Sequence, residues 1–226
     1  MDALDPVLMF LGSSVCHQLV DRSYTIGDAQ MPLCARCMGI HVGFLISAVF
    51  LWVGPRRFAS RLPSRNALIV LGLIMSVMFI DGGLSYSNLF QSDNLRRTLS
   101  GLAFGVPLPF VLFPLLNMIA FPGRDSRAPI AGWKDWLMLS LLYSVGAAAI
   151  LLAPSAPALF VAVSVAGVIG VFAVYSTVIF VILSLLLEKR SLRLRTRASG
   201  AVFLAVSFLL ISAAFHTAYL PALSGA

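Results

Sequence analysis

Met31-Pro-Leu-Cys-Ala-Arg-Cys-Met-Gly-Ile-His-Val-Gly-Phe44 leads directly into an apolar run that continues to Val53. It places two of the three cysteines and one of the three histidines at the entrance of a hydrophobic helix. Cys34 and Cys37 have the C-x2-C spacing that lets both sulfurs reach one metal ion or close a small disulfide, and His41 follows one turn later. Proline is preset for a first helical turn, so the spacing predicts a helix from about Pro32 towards Val53. Both cysteines then sit where unpaired N–H groups and the helix dipole favour thiolate over thiol.

The same apolar character extends over the chain. Of 226 residues, 59% are hydrophobic and 11% charged, and the mean hydropathy is +0.95. That excludes a soluble domain and predicts an all-α integral membrane protein forming a single membrane domain. Six stretches have the roughly 17–25 apolar residues that a bilayer span needs, at about 34–53, 66–82, 98–120, 133–153, 158–187 and 199–220. Residues 1–33 form a Cys/His segment before them, in which Pro6 to Val20 is too short an apolar run to span and reads as an interfacial or re-entrant helix. Asp2 and Asp5 precede that run without a basic residue, so a cleaved secretion signal is not expected. Pro107, Pro109 and Pro114 predict a broken third span.

Orientation follows from the arginines. Arg56, Arg57, Arg61 and Arg65 follow the first span, Arg124, Arg127 and Lys134 the third, and Lys189, Arg190, Arg193, Arg195 and Arg197 the fifth. The positive-inside rule makes that side cytoplasmic, in a plasma membrane, with both termini outside. The formal charge of +7 is divided among short loops beside apolar spans, which points to anionic lipid headgroups and not to nucleic acid. Trp133 and Trp136 stand at a predicted interface.

In this topology every cysteine and histidine lies on the outer side: Cys16 and His17, Cys34, Cys37 and His41, and His216 near the end of the last span. Disulfides persist in such a compartment. A second outer segment, from Asp81 to Arg97, adds carboxylates, amides, Arg96 and Arg97 at the same depth. An ionisable group ending an apolar span, as Asp81 does, is often functional. The plainer expectation is that Asp81 ends its helix and pairs with Arg96 or Arg97.

Cys16-His-Gln, Arg22-Ser, Pro32-Leu-Cys-Ala-Arg-Cys-Met-Gly39, Asp81-Gly and Asp93-Asn-Leu-Arg-Arg-Thr-Leu-Ser-Gly101 resemble a family of bacterial and archaeal membrane proteins with C-H-Q and P-x-C-A-R-C-x-G motifs, classed as a domain of unknown function. The resemblance covers roughly residues 13 to 105. It implies a site at Cys16, His17, Cys34, Arg36, Cys37, Asp81, Asn94 and Arg97, and no particular reaction. The family usually carries a tyrosine where this chain has His41, which sets that residue apart.

Three readings follow. In the first, Cys16, Cys34 and Cys37 with His17 or His41 hold zinc, or iron, as a tetrahedral site. With an open position, such a site acts on an anionic lipid or headgroup, using a metal-activated water, with Asp81 beside it and Arg96 or Arg97 holding phosphate. In the second, Cys34 and Cys37 with Cys16 as resolving thiol exchange disulfides and pass electrons to a membrane quinone. In the third, the cysteines are packing residues or a passive disulfide, and the protein has no catalytic role.

Overall fold

The computed structural model describes residues 4–87, 89–120, 127–186 and 194–223. Arg124, Lys189, Arg190 and Arg193, used above to orient the chain, lie outside them, as do the side chains of Arg195 and Arg197; Asp2 and the side chain of Asp5, named above against a secretion signal, also lie outside. Among the described residues the chain is helical almost throughout, with six helices long and apolar enough to cross a membrane.

The N-terminal helix α1 (Leu4–Ser13) is followed by a 3-10 turn at Val20–Arg22 and a small antiparallel hairpin, β1 (Thr25–Ile26) with β2 (Ala29–Gln30). Gly27, at φ 57°, makes the reversal that a side chain would resist. Neither the 3-10 turn nor the hairpin is expected from hydropathy, because two-residue strands are too short to show alternation.

Then comes α2 (Ala35–Val53), whose 19 residues reach ~28 Å and so match a bilayer core of about 30 Å. It begins three residues later than Pro32 predicts. Cys34 is its N-cap, with extended φ and ψ, and its carbonyl accepts the first helical bond from Met38 N–H at 2.8 Å. Pro32 lies in a bend between fully buried Met31 and Leu33, so it ends the loop without opening the helix.

The return helix α3 (Arg65–Tyr86) is capped by Ser64, which accepts from Ala67 N–H at 3.3 Å. The third span is broken as the prolines predict: α4 (Asn94–Gly105) ends just before Pro107 and α5 (Leu108–Ala120) continues with Pro114 inside it. It starts earlier than hydropathy indicates, because Asp93 caps Arg96 N–H at 2.7 Å and draws Asn94 to Arg97 into the helix. The remaining spans are α6 (Trp133–Leu152), α7 (Pro157–Leu186) and α8 (Leu194–Leu223).

At the centre stands α2, in contact with α4, α5, α6 and α7. Its approach to α4 is set by two interlocking small-residue motifs, Gly39-x3-Gly43 on α2 and Gly101-x3-Gly105 on α4. A Cβ at Gly101 would collide with the Arg36 carbonyl, and one at Gly105 with that of Ile40. Lipid tails are as apolar as leucine, so close backbone packing of this kind supplies much of the attraction between membrane helices. By contrast α3 packs chiefly on α4 and leaves Leu73, Phe79 and Ile80 exposed to the hydrocarbon.

Candidate metal centre

The C-x2-C pair occupies the N-cap and third position of α2, which face the same end of the helix. Cys16 arrives from the N-terminal segment, and its Sγ accepts a hydrogen bond from Cys34 N–H at 3.2 Å. The three sulfurs all lie within 4.8 Å of one another. Cys16 is buried, Cys34 and Cys37 are partly so, and all three are free thiols. Cys34 is held well below the ordinary thiol range, first because the Cys16 thiol donates to it and then because Cys37 does. Cys16 is correspondingly pushed up to about 11, chiefly by giving its hydrogen bond to Cys34.

The device that delivers Cys16 is Gln18. Its backbone has a φ of 53°, unusual for a residue with a side chain. Its amide Nε2 donates to Met9 O at 2.6 Å and to Pro32 O at 2.9 Å, while its own carbonyl accepts from Gln30 Nε2 at 2.7 Å. One residue thereby ties α1, the hairpin and the entrance of α2 together. The sequence presented Gln18 only as the third letter of C-H-Q, and no periodic signal marks a left-handed residue.

The same segment is bound to α4. Tyr24 Oη lies 3.0 Å from Thr98 Oγ1 and donates to Asn94 O at 3.1 Å, and Asn94 Nδ2 donates to Ser23 O at 3.3 Å. Asn94 Oδ1 also accepts from Arg97 Nη1 at 3.3 Å, which fixes a buried guanidinium beside the cysteines. Arg36, between the two cysteines of α2, forms an ion pair with Asp81. Asp81 further accepts from Ser92 Oγ at 2.8 Å and Ser100 Oγ at 3.0 Å. The expected pairing of Asp81 with Arg96 or Arg97 is therefore corrected: the G-x3-G crossing sets Arg36 against Gly101 of α4, where Asp81 of α3 meets it.

These groups enclose a cavity of about 370 Å3 whose lining includes all three cysteines, His17, Arg22, Arg36 and Arg97. Asp81 holds its arginine from behind. Arg96 is turned away, over the Phe90 ring at 4.1 Å. The histidines are placed differently from one another. His17 lines the cavity and meets His216 edge to face, with ring centroids 5.6 Å apart. His41 is buried on α2, with Nδ1 against Cys37 O at 2.7 Å. The group of ligand atoms within 4.8 Å consists of the three sulfurs and includes neither ring.

The donor set is suited to a metal. Zinc–thiolate bonds of about 2.3 Å put the sulfurs of a tetrahedral site roughly 3.8 Å apart, a separation within reach of small side-chain rotations here. The N–H donated to Cys16 Sγ and the N-cap position of Cys34 both stabilise sulfur carrying negative charge.

Residues 16–111 match the model of a family described as "Predicted membrane protein (DUF2085)", and that stretch contains every residue of the cavity except Val15. An uncharacterised protein of Methanocaldococcus jannaschii is 30% identical over 103 residues, covering 46% of this chain and 64% of its own. An uncharacterised protein of Methanothermobacter thermautotrophicus is 26% identical over 106 residues, covering 46% of this chain and 90% of its own. No solved structure matches the chain.

Proposed function

We propose, taking the likeness to a family of uncharacterised membrane proteins as premise, that this chain holds one zinc or iron ion on Cys16, Cys34 and Cys37 and admits an anionic ligand to the adjoining cavity. The convergence of three sulfurs from two separate elements within 4.8 Å carries this reading. Packing alone does not call for it, since a polar cluster at a membrane face is a costly way to fill space. His17 is the better placed fourth ligand of the two histidines, because it faces the cavity while His41 has one ring nitrogen committed to the Cys37 carbonyl.

With a coordination position left open, the ion supplies Lewis acidity towards an oxygen of the ligand. The protein's own groups do the rest. Arg97, buried and positioned by Asn94, offers a planar pair of donors to phosphate or carboxylate. Arg36 is aimed by Asp81, and Arg22 stands at the rim. An enzyme acting on an anionic lipid or its headgroup fits this arrangement. The positive-inside reading puts the site on the outer face of the plasma membrane, with the basic loops against anionic lipid at the cytoplasmic face. Maleimide labelling of Arg61→Cys, read against the parent chain, tests this: modification should require access to the cytoplasm, and modification of intact cells from outside would reverse the orientation.

A second reading has its own observation. Cys34, an activated sulfur at a helix N-terminus, lies within reach of two others, as is required of a dithiol that exchanges disulfides. In that reading the dithiol closes to a disulfide while a membrane quinone takes up the two electrons and two protons to become quinol. Elemental analysis of the purified protein separates the two. About one zinc or iron per chain supports the metal centre, whereas a metal-free chain with a Cys34–Cys37 disulfide supports thiol exchange.

A further inference from the structure

A larger opening lies on the other side of Asp81. Because α3 packs chiefly on α4, a cleft of about 800 Å3 remains between these two helices and α6. Its walls are Ile74, Val77, Ile80 and Leu84 of α3, facing Leu99 and Ala103 of α4, with Tyr143 of α6 at the back. The Tyr143 hydroxyl is consumed by Leu99 O at 3.0 Å, so the interior offers little to a polar guest. Val77, Ile80 and Leu84 are themselves exposed, which leaves the cleft open sideways to the bilayer. From Ile74 to Leu84 it runs ~15 Å along α3, about half the hydrocarbon thickness and hence the depth of one leaflet.

Two charged residues line the cleft, and they differ. Asp81 is engaged by Arg36, Ser92 and Ser100, so its negative charge is already matched. Arg96 is exposed, has no acid partner among the described residues, and is held at the lip by the Phe90 ring. An apolar slot one leaflet deep that ends in an unpaired guanidinium is complementary to an acyl-chain amphiphile with a phosphate head. It is poorly matched to a neutral quinone, which would leave Arg96 without a counter-charge.

We propose that this cleft is a binding site for an anionic glycerophospholipid of the leaflet on the cysteine side, its acyl chains between α3 and α6 and its phosphate on Arg96. The site is separate from the metal centre, since cleft and cysteine cavity share no lining residue. It stands or falls without the metal reading. The consecutive residues Arg96 and Arg97 thus serve two sides of α4, one towards the bilayer and one towards the thiols.

The test is native mass spectrometry of the full chain released from detergent with dioleoylphosphatidylglycerol, dioleoylphosphatidylcholine, decylubiquinone or glycerol phosphate. Phosphatidylglycerol should be retained about fivefold more than phosphatidylcholine, the scale of one basic residue at a lipid surface, and glycerol phosphate should not be retained. Arg96→Gln, at an exposed position, should abolish the preference while leaving some binding of both lipids. Val77→Trp, also exposed, should fill the slot and reduce both. Equal retention of the two lipids, preferential retention of decylubiquinone, or binding unchanged by Val77→Trp would each overturn the proposal.

Discussion

The two ends of the bundle each carry an arginine–aspartate pair, and they use it differently. At the end away from the cysteines, Arg56 pairs with Asp135 at 2.7 Å and also donates to Pro129 O at 2.9 Å. Asp135 in turn accepts from Ala131 and Gly132 N–H, and Asn117 donates to the carbonyls of Arg57 and Ala59. Those groups are spent on closing loops onto helix ends. At the cysteine end, Arg36 and Asp81 pair as tightly, but among the described residues Arg36 Nε is buried without a partner and the Arg97 guanidinium donates only to Asn94. Under-used cations around a cavity with three sulfurs are what the proposed anion site draws on. Between the two ends, an ion pair alone does not single out a candidate site, whereas unspent donors beside a cavity do.

The largest expected effect falls on the cysteines. Cys16→Ser, Cys34→Ser and Cys37→Ser should each take metal content from about one ion per chain to near zero, because hydroxyl is a much weaker ligand for zinc than thiolate. His17→Ala should weaken metal retention and His41→Ala should not. Retention by all three serine variants would erase the difference between the two ends.

Next comes Gly105→Leu, which drives a side chain into the Ile40 carbonyl and should cost about 1–3 kcal/mol or more by overpacking. Thermal unfolding in detergent measures it, and an unchanged midpoint would mean that α2 and α4 do not cross as described. The two aspartates compare the ends directly. Asp81→Asn should cost about 2 kcal/mol by weakening three charge-assisted bonds, and it frees Arg36 towards the cavity. Asp135→Asn should cost about 1 kcal/mol as a weakened helix cap and leave metal untouched. The smallest effect is kinetic. The cavity's cations should make the metal-stripped thiols react several-fold faster with iodoacetate than intrinsic reactivity relative to iodoacetamide allows, and Arg97→Gln should reduce that bias. An identical ratio in the variant would remove Arg97 from the cavity's field.

The spans were legible because bilayer thickness dictates the length of an apolar run, and the broken third span because Pro107 cannot continue a helix. The convergence of the C-x2-C pair with Cys16 was legible from the residue types and spacing, and the structure brings the three sulfurs together. The partner of Asp81 was not. Proximity along the chain favoured Arg96 and Arg97, but facing depends on how helices cross, and the crossing was set by Gly39, Gly43, Gly101 and Gly105. That spacing stands in the sequence, where it was not read as a crossing, and it is the signal that could have shown Arg36 lying against α4. The start of α2 was misjudged because Pro32 satisfies an extended approach as well as a first turn. Gln18 was visible only as the last letter of C-H-Q, and nothing in that motif signals its left-handed backbone or the two carbonyls its amide ties together.

The most direct test of the central claim is metal analysis of the purified wild-type chain, combined with a thiol count before and after chelation. The account predicts about one zinc or iron per chain and three thiols that become reactive only when the metal is removed. A metal-free protein whose three thiols react at once, with or without reductant, would contradict it.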